Sequence, residues 1–218
     1  MQPLSRVKPT ANYFFGRMDD FEKRPAVSVK IAQCIAEWAD IESMLGIFLA
    51  LLLDIDPSMA LSMFTEVENR SSQMKMVDAA ARKKFSQEQL DVHTILFSSV
   101  IRPAMRERDR IAHWCWGCSN DLPDALLLSR QQVKMTVHMK WAENPGKLDT
   151  SDIFVVTADD LTRTLKRLQK AKDYLAQMMA TIWKKNDAEK QAKALQRLSE
   201  MPEIETGLIR LRESQHKS

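Results

Sequence analysis

The chain of 218 residues is poor in glycine, cysteine and net charge: it has five glycines, three cysteines and a formal charge of +3. It contains neither a glycine-rich phosphate loop nor a serine-nucleophile motif. An odd number of cysteines without framework spacing argues against a disulfide-stapled secreted domain. The weak net charge does not by itself predict nucleic-acid binding, but it leaves room for a local basic patch.

Long hydrophobic runs are also missing. The longest run, residues 44–53, is shorter than the roughly 20 apolar residues that a membrane-spanning helix needs. The amino terminus lacks the apolar core that follows a basic start in signal peptides. We therefore expect a reduced, cytoplasmic protein that does not enter a membrane.

What the chain does contain favours helices. Hydrophobic residues make up 44% of it, and methionine, alanine, leucine, lysine and glutamate are common. We predict a mainly α fold with an N-terminal arm (1–26), a helical domain (27–185) and a charged, partly helical tail (186–218). The first long helix is indicated by apolar residues in steps of three and four, namely Ile31, Ile35, Trp38, Ile41, Leu45, Phe48 and Leu52.

Several helix starts can be read from capping residues. Asp56 precedes a proline at the first helical position, Ser86 opens a capping box, and residues 157–160 begin a long helix. Ser71 or Ser72 is predicted to cap a further helix, which lies between the helices that begin after Asp56 and after Ser86. Pro103 should kink the helix in which it lies, which we expect to continue as far as Gly117.

A change of period predicts a small β meander at about 125–156, inserted before the last long helix. Residues 133–141 alternate between apolar and polar, as in a half-buried strand. Residues 125–129 and 153–156 are apolar runs of strand length, and 144–146 reads Asn-Pro-Gly, which is typical of a turn. The expected sheet is antiparallel.

The segment 106–114 carries the clearest chemical signal. Arginine can stabilise a pentavalent phosphate, and histidine can move a proton near neutral pH. Asp109 lies one helical turn before His113 and can orient the imidazole. Arg108 lies about 140° around an ideal helix from His113. The two can meet only through the length of arginine, a loosened helix end, or a second copy of the helix.

The pattern Arg-Asp-Arg-Ile-Ala-His at 108–113 resembles the signature of the HEPN superfamily (higher eukaryotes and prokaryotes nucleotide-binding domains). The resemblance implies an up-and-down helical bundle and a metal-independent endoribonuclease without a cofactor. Two chains would pair as a homodimer so that both motifs line one cleft. Carried over, Arg108 and His113 would be catalytic, with Asp109 as the orienting polar residue. A ribose 2′-hydroxyl would attack phosphorus, His113 would be acid or base, and Arg108 would stabilise the phosphorane.

Single-stranded RNA is the partner that this resemblance implies. Arg106 and Arg110 would contact phosphates, and Trp114 would stack on a base. The family also implies toxin–antitoxin or phage-defence biology, and with it a protein antitoxin as partner.

Two alternatives stay open. The first is a non-catalytic HEPN-like module for dimerisation or RNA binding, in which His113 only satisfies carbonyls at the helix end. The second is a metal or redox site at the C-x-x-C formed by Cys115 and Cys118. His93 and His138 have no evident partner in the sequence, and we expect them to be incidental.

Overall fold

The computed structural model describes residues 1–16, 19–135, 150–183 and 187–215. It is mainly helical with one small antiparallel sheet, so the coarse fold class predicted from the sequence is confirmed. The chain divides into two compact units. Unit 1 comprises Met1–Glu37 and Arg106–Arg167, and unit 2 comprises Trp38–Met105 and Leu168–Ser218.

The elements follow one another with short connections. The helices are α1 (Leu4–Val7), α2 (Asp19–Glu22), α3 (Pro25–Leu53), α4 (Pro57–Glu66), α5 (Arg70–Lys84), α6 (Gln87–Leu96), α7 (Arg102–His113), α8 (Ala158–Ala180), α9 (Ala188–Ser199) and α10 (Pro202–Gln215), with a π-helical turn at Phe97–Ile101 between α6 and α7. The strands are β1 (Gln2–Pro3), β2 (Phe14–Phe15), β3 (Cys115–Cys118), β4 (Ala125–Ser129) and β5 (Ile153–Thr157).

Most helix starts lie where the capping residues predicted them. The Asp56 carboxylate accepts hydrogen bonds from two backbone amides of α4, and Ser86 forms the complete capping box of α6. Thr157 and Asp160 exchange side-chain and backbone hydrogen bonds at the start of α8. The cap of α5 was predicted wrongly: Asn69, not a serine, accepts the amide hydrogen bonds, because its side-chain oxygen already reaches both following donors.

The backbone before Pro103 departs from regular α-helical geometry, while the kink predicted there stays a prediction. The backbone widens into the π turn at Phe97–Ile101, where the Arg102 amide donates to the Phe97 carbonyl. Pro103 has no amide hydrogen, and its ring would clash with the carbonyl four residues earlier in a regular α-helix. The wider turn relieves that clash. The helix then ends at His113 and not at Gly117, which lies in β3.

Unit 2 is built around the apolar side of α3. Trp38, Ile41, Leu45 and Phe48 are each 1% exposed or less, as their spacing predicted. Ile35, which the same spacing placed in the core, lies in unit 1 and is 39% exposed. Ile31, earlier in the same series, is buried, so the periodicity is wrong at Ile35 alone among the seven apolar positions.

The C-terminal segment, expected to be a solvated tail, forms α9 and α10. Leu198 and Ile204 are fully buried, and both helices contact α6. Gly207 lies so close to Ile95 that an added Cβ would stand 2.3 Å from its Cγ2. Glycine allows this close approach of α10 to α6 because it has no side chain.

Unit 1 contains the sheet, in the order β1-β5-β4-β3-β2 with antiparallel neighbours throughout. All five residues of β4 are buried. The predicted strands at 125–129 and 153–156 are confirmed as β4 and β5. Strands β1 and β2 come from the N-terminal arm, which was not predicted to pair.

The predicted strand at 133–141 is wrong where it can be checked. Residues 131–135 are helical, and the Lys134 amide donates to the Arg130 carbonyl as in a helical turn. Both edges of β4 are already paired, with β3 and β5, so no place beside it remains for this segment. The rest of the alternating run, with His138 and the turn at 144–146, lies outside the described residues.

Within the described ranges, no single helix is long and apolar enough to cross a membrane; α3 and α4 reach that composition only as a bent pair.

Candidate functional site

The sequence motif lies at the end of α7, in the part of that helix that belongs to unit 1. The helix stays regular to its last residue, since the Trp114 amide still donates to the Arg110 carbonyl at 3.1 Å. The Trp116 indole Nε1 donates to the Ile111 carbonyl at 3.0 Å and so satisfies one of the carbonyls left free at a helix end. One residue, Trp114, then separates His113 from β3.

Arg108 and His113 meet within one chain. The distance from Arg108 Nη1 to His113 Nε2 is 3.2 Å. Because the helix is regular up to His113, the contact comes from the length of the arginine side chain and not from a loosened helix end. His113 is solvent-exposed, so Trp114 does not seal the imidazole from a substrate.

The direction of the hydrogen bond between the two residues follows from their chemistry. A guanidinium only donates, so His113 Nε2 is the acceptor in this contact. The same Nη1 also donates to the Asp109 carboxylate at 3.3 Å. Asp109 is therefore placed to orient the guanidinium, and its predicted role in orienting the imidazole stays a prediction. The predicted roles of these residues in a reaction stay predictions.

The base of the Arg108 side chain is held inside unit 1. The side chain is 14% exposed, and its Nε is buried without a hydrogen-bond partner. The preceding residue, Glu107, forms an ion pair with Arg167 of α8. The arginine thus presents its outer nitrogens at the surface from a stem of restricted mobility, as expected of a pre-organised anion ligand.

Trp114 lies beside two guanidinium groups. The central carbon of Arg110 is 5.6 Å from its ring centroid, and that of Arg130 is 5.4 Å away. Phe154 of β5 packs against the same indole with a centroid distance of 6.0 Å. Arg106 and Arg110 are exposed, as their predicted RNA-binding role requires. Arg130 was missed because a single arginine after a buried strand carries no sequence signal.

The C-x-x-C alternative conflicts with the observed strand. Cys115 and Cys118 lie three residues apart in β3, so their side chains leave opposite faces of the sheet. Cys115 packs against the apolar cluster that contains Leu4 and Leu127, and Cys118 is buried. Two thiols on opposite faces cannot bind one metal ion or form a disulfide with each other.

The third cysteine does not complete a site either. The Cys34 thiol contacts the Leu161 carbonyl, and burial followed by the charge of Glu107 raises its pKa to about 11. It is therefore protonated at neutral pH and is a poor ligand. In the part of the chain that the structure describes, no group of three or more His, Cys, Asp or Glu side chains is arranged to hold a metal ion.

His93, expected to be incidental, lies in a polar cluster of unit 2. Its Nε2 is 3.1 Å from Asp78 Oδ1, and Arg102 Nη2 donates to the other oxygen of that carboxylate at 2.5 Å. The imidazole is 2% exposed and packs on Phe97 with a ring-centroid distance of 4.2 Å. The sequence gives no hint of this cluster because its members come from α5, α6 and α7.

Burial acts to raise the pKa of Asp78, but the hydrogen bond from His93 and the charge of Arg102 outweigh it. The net pKa lies below the ordinary value of 3.8. The carboxylate is therefore ionised at neutral pH and holds both partners in place.

No protein-family model matches this chain, and no curated protein or solved structure is significantly similar to it. The relationship to the HEPN superfamily therefore stays a prediction that rests on the motif at 108–113.

Proposed function

We propose that the protein is a metal-independent endoribonuclease in which Arg108 and His113 act on the phosphodiester. The observation that carries this proposal is the 3.2 Å contact between Arg108 Nη1 and an exposed His113 Nε2. A phosphate and a 2′-hydroxyl that approach this pair from solvent can reach both functional groups at once. Proximity of this kind is what proton transfer and charge stabilisation require.

The proposed reaction starts from the hydrogen bond that Arg108 donates to His113. An RNA phosphate that binds Arg108 competes for the guanidinium and releases the lone pair of His113 Nε2. That nitrogen takes the proton of the 2′-hydroxyl as the oxygen attacks phosphorus. The bond to the 5′-oxygen breaks, and the products are a 2′,3′-cyclic phosphate and a 5′-hydroxyl. Arg108 stabilises the charge that develops on the non-bridging oxygens.

The leaving 5′-oxygen needs a proton donor. We assign this role to His113 of the other chain of a homodimer, which would be protonated at the start of the reaction. Histidine suits both roles because an imidazole can accept a proton or donate one near neutral pH.

RNA is the proposed substrate because aromatic and basic groups lie together. Trp114 offers a ring for a base, and Arg106, Arg110 and Arg130 offer guanidinium groups for phosphates. A single-stranded region suits this set, since stacking on tryptophan requires an unpaired base. Toxin or phage-defence biology, with an antitoxin partner, stays an expectation from the family resemblance.

A non-catalytic RNA-binding module is the second candidate. The same contact favours it, because the His113 lone pair is engaged by Arg108 and Arg108 is shared with Asp109. In that case the phosphate would bind Arg108 while His113 only orients the guanidinium. Binding without cleavage would be the result.

Cleavage of single-stranded RNA in excess chelator separates the two candidates. The parent protein, His113→Ala and Arg108→Ala are incubated with a fluorescent RNA, and the product ends are identified by mass. The enzyme predicts a 2′,3′-cyclic phosphate end and a rate at least about 100-fold lower in both variants.

Lys75→Ala is the matched control, because it removes an exposed charge of α5 outside the proposed site. It should cleave at the parent rate. Intact RNA with all four proteins, together with RNA binding that Arg108→Ala weakens, identifies the module. Cleavage that survives both site substitutions, or that the chelator abolishes, contradicts the proposed mechanism.

The homodimer is tested by mixing inactive variants. If each cleft takes histidines from two chains, His113→Ala should lower the activity of parent protein when the two exchange subunits. A protein that sediments as a monomer while it cleaves at full rate contradicts the role of a second His113.

A further inference from the structure

Unit 2 contains a small polar cavity that the proposed ribonuclease mechanism does not use. It has a volume of about 190 Å³ and lies between α5, α6 and the π turn. Its polar lining consists of Asp78, Arg82, His93, Thr94, Ser98 and Arg102. Thr94, Ser98 and Arg82 are exposed, so the cavity opens to solvent.

The imidazole in its wall is unusually placed. His93 is 2% exposed and bonds through Nε2 to Asp78, while its Nδ1 is buried without a partner. An unpaired buried polar atom lowers stability, and an apolar side chain of similar size could fill the space between Phe48, Phe85 and Phe97. A buried imidazole with an unpaired nitrogen in a cavity wall is therefore a candidate for a functional group.

The π turn at Phe97–Ile101 places Arg102 in the lining of this cavity. His93 and Arg102 are nine residues apart, which on a regular α-helix places them roughly 180° from each other. Both nevertheless contact Asp78. The π turn between them shifts the helical phase by about one residue and rotates Arg102 toward the His93 side. Single π turns are frequent at functional sites.

The charges favour an anion. Arg102 forms an ion pair with Asp78, which is the only carboxylate among the residues that line the cavity. Arg82, in the last turn of α5, adds a second positive charge to the lining. Thr94 and Ser98 are four residues apart and place two hydroxyl groups on one face of the helix. The Ser98 hydroxyl donates to the Ile95 carbonyl at 3.2 Å, and it would exchange that acceptor for an oxygen of a bound phosphate. Guanidinium groups with hydroxyl donors are the usual ligands of a phosphate group.

We propose that this cavity binds a phosphate group, held by Arg82 and Arg102 with Thr94 and Ser98. The volume supports a small ligand, since pockets that enclose drug-sized molecules measure about 300–1,000 Å³. At about 30 Å³ per water molecule, the cavity holds roughly six waters, which is enough for one phosphate group. The phosphate is either free or the terminal phosphate of a nucleotide, which presents the same oxygens.

Titration of the full chain with inorganic phosphate and with adenosine 5′-monophosphate, at constant ionic strength, tests the proposal. Saturable binding is followed by calorimetry and by the phosphate-dependent rise in Tm. Arg82→Ala should raise Kd about ten-fold or more, since it removes a charged hydrogen-bond donor. Ser98→Ala, which removes no charge, should raise Kd about five-fold.

Lys83→Ala is the matched control, because it removes the adjacent charge of α5 outside the cavity lining. Its Kd should stay within about two-fold of the parent value. If adenosine 5′-monophosphate binds more tightly than inorganic phosphate, the ligand is a nucleotide. If the two bind equally well, the ligand is free phosphate. Both results support the site. No saturable binding by either compound, or an equal loss in Lys83→Ala and Arg82→Ala, overturns it.

Discussion

Two histidines of this protein each belong to a cluster with an arginine of α7, and the two clusters are built in opposite ways. In unit 1, His113 is exposed and contacts Arg108 directly, with Asp109 to one side. In unit 2, His93 is buried, and the Asp78 carboxylate lies between it and Arg102. The same three residue types thus surround an exposed imidazole in one cluster and a buried imidazole in the other.

The difference shows how burial decides what such a group can do. An imidazole in contact with a guanidinium at the surface is free to exchange protons and partners with a substrate. A buried imidazole needs a hydrogen-bond partner, and the Asp78 carboxylate provides one for His93 Nε2. We therefore propose catalysis for the cluster with the exposed imidazole. For the cluster with the buried imidazole we propose a role in stability and in lining the phosphate cavity.

The largest expected effect separates the two histidines. His113→Ala should lower the rate of RNA cleavage by at least about 100-fold and leave Tm unchanged, because the side chain is exposed. His93→Ala should lower the free energy of unfolding by roughly 2–4 kcal/mol, because it leaves a cavity and an unpaired carboxylate. Cleavage assays and urea unfolding measure the two effects. A stable His93→Ala or an unfolded His113→Ala would break the comparison.

The next largest effect separates Asp78 from Asp109 by their contributions to the free energy of unfolding. Asp78→Asn should lower the free energy of unfolding by roughly 1.5–3 kcal/mol, since it weakens hydrogen bonds to a charged group and leaves Arg102 without its counter-charge. Asp109→Asn, in the exposed cluster, should change it by no more than about 0.5 kcal/mol. Urea unfolding at neutral pH measures both. Equal losses would mean that the surface cluster is as important for folding as the buried one.

At acidic pH the parent protein and Asp78→Asn should have the same free energy of unfolding. The folded-state pKa of Asp78 is lowered, so its stabilisation is present above the unfolded value near 3.8 and is lost as pH falls through the folded pKa. The gap in free energy of unfolding should stay constant above about pH 5 and close below about pH 4. Subtraction cancels the other carboxyls with lowered pKa, such as Asp160 and Glu203. A gap that persists at low pH would contradict the charge-based account.

The smallest effect concerns the guanidinium beside Trp114. Arg130→Ala should lower the free energy of unfolding by no more than about 1 kcal/mol, the usual range of an exposed cation–π contact. It should also weaken RNA binding, whereas Arg6→Ala, which removes an exposed arginine of α1, should not. Chemical unfolding and fluorescence anisotropy supply the measurements. Equal weakening by both variants would indicate non-specific attraction to a basic surface.

Local elements were predicted well because their signals lie within a few residues of each other. The capping box of Ser86, the cap of Asp56 and the core spacing from Trp38 to Phe48 all agree with the structure. Each depends on backbone donors or on a side of one helix, which neighbouring residues determine. The motif at 108–113 was also correctly placed at a helix end.

Pairing between distant segments could not be predicted in the same way. The arm strands β1 and β2 contain two residues each, too few for a periodic signal, yet they form both edges of the sheet. The alternation from residue 133 favoured a strand, but β4 had no free edge to accept one. Available hydrogen-bonding edges depend on the whole fold.

The two candidate sites differ in the same way: one is built from neighbouring residues and the other from distant segments. The residue types at 106–114 pointed to an arginine–histidine site because they lie together in the chain. Arg130 and the cluster of His93, Asp78 and Arg102 gave no sequence signal, since their partners are 15 or more residues away or approach from other elements. Spatial neighbours of this kind become visible only after folding.

The order of residues alone determined the helical character, most helix boundaries and the presence of an arginine, an aspartate and a histidine at one helix end, because each follows from interactions over one or two turns. Tertiary structure decided that His113 stays in solvent while His93 is enclosed, that Arg108 bends back to the imidazole, and that two thiols of one motif point apart. Solvent exposure and contact geometry depend on every element that packs nearby, and no local pattern encodes them.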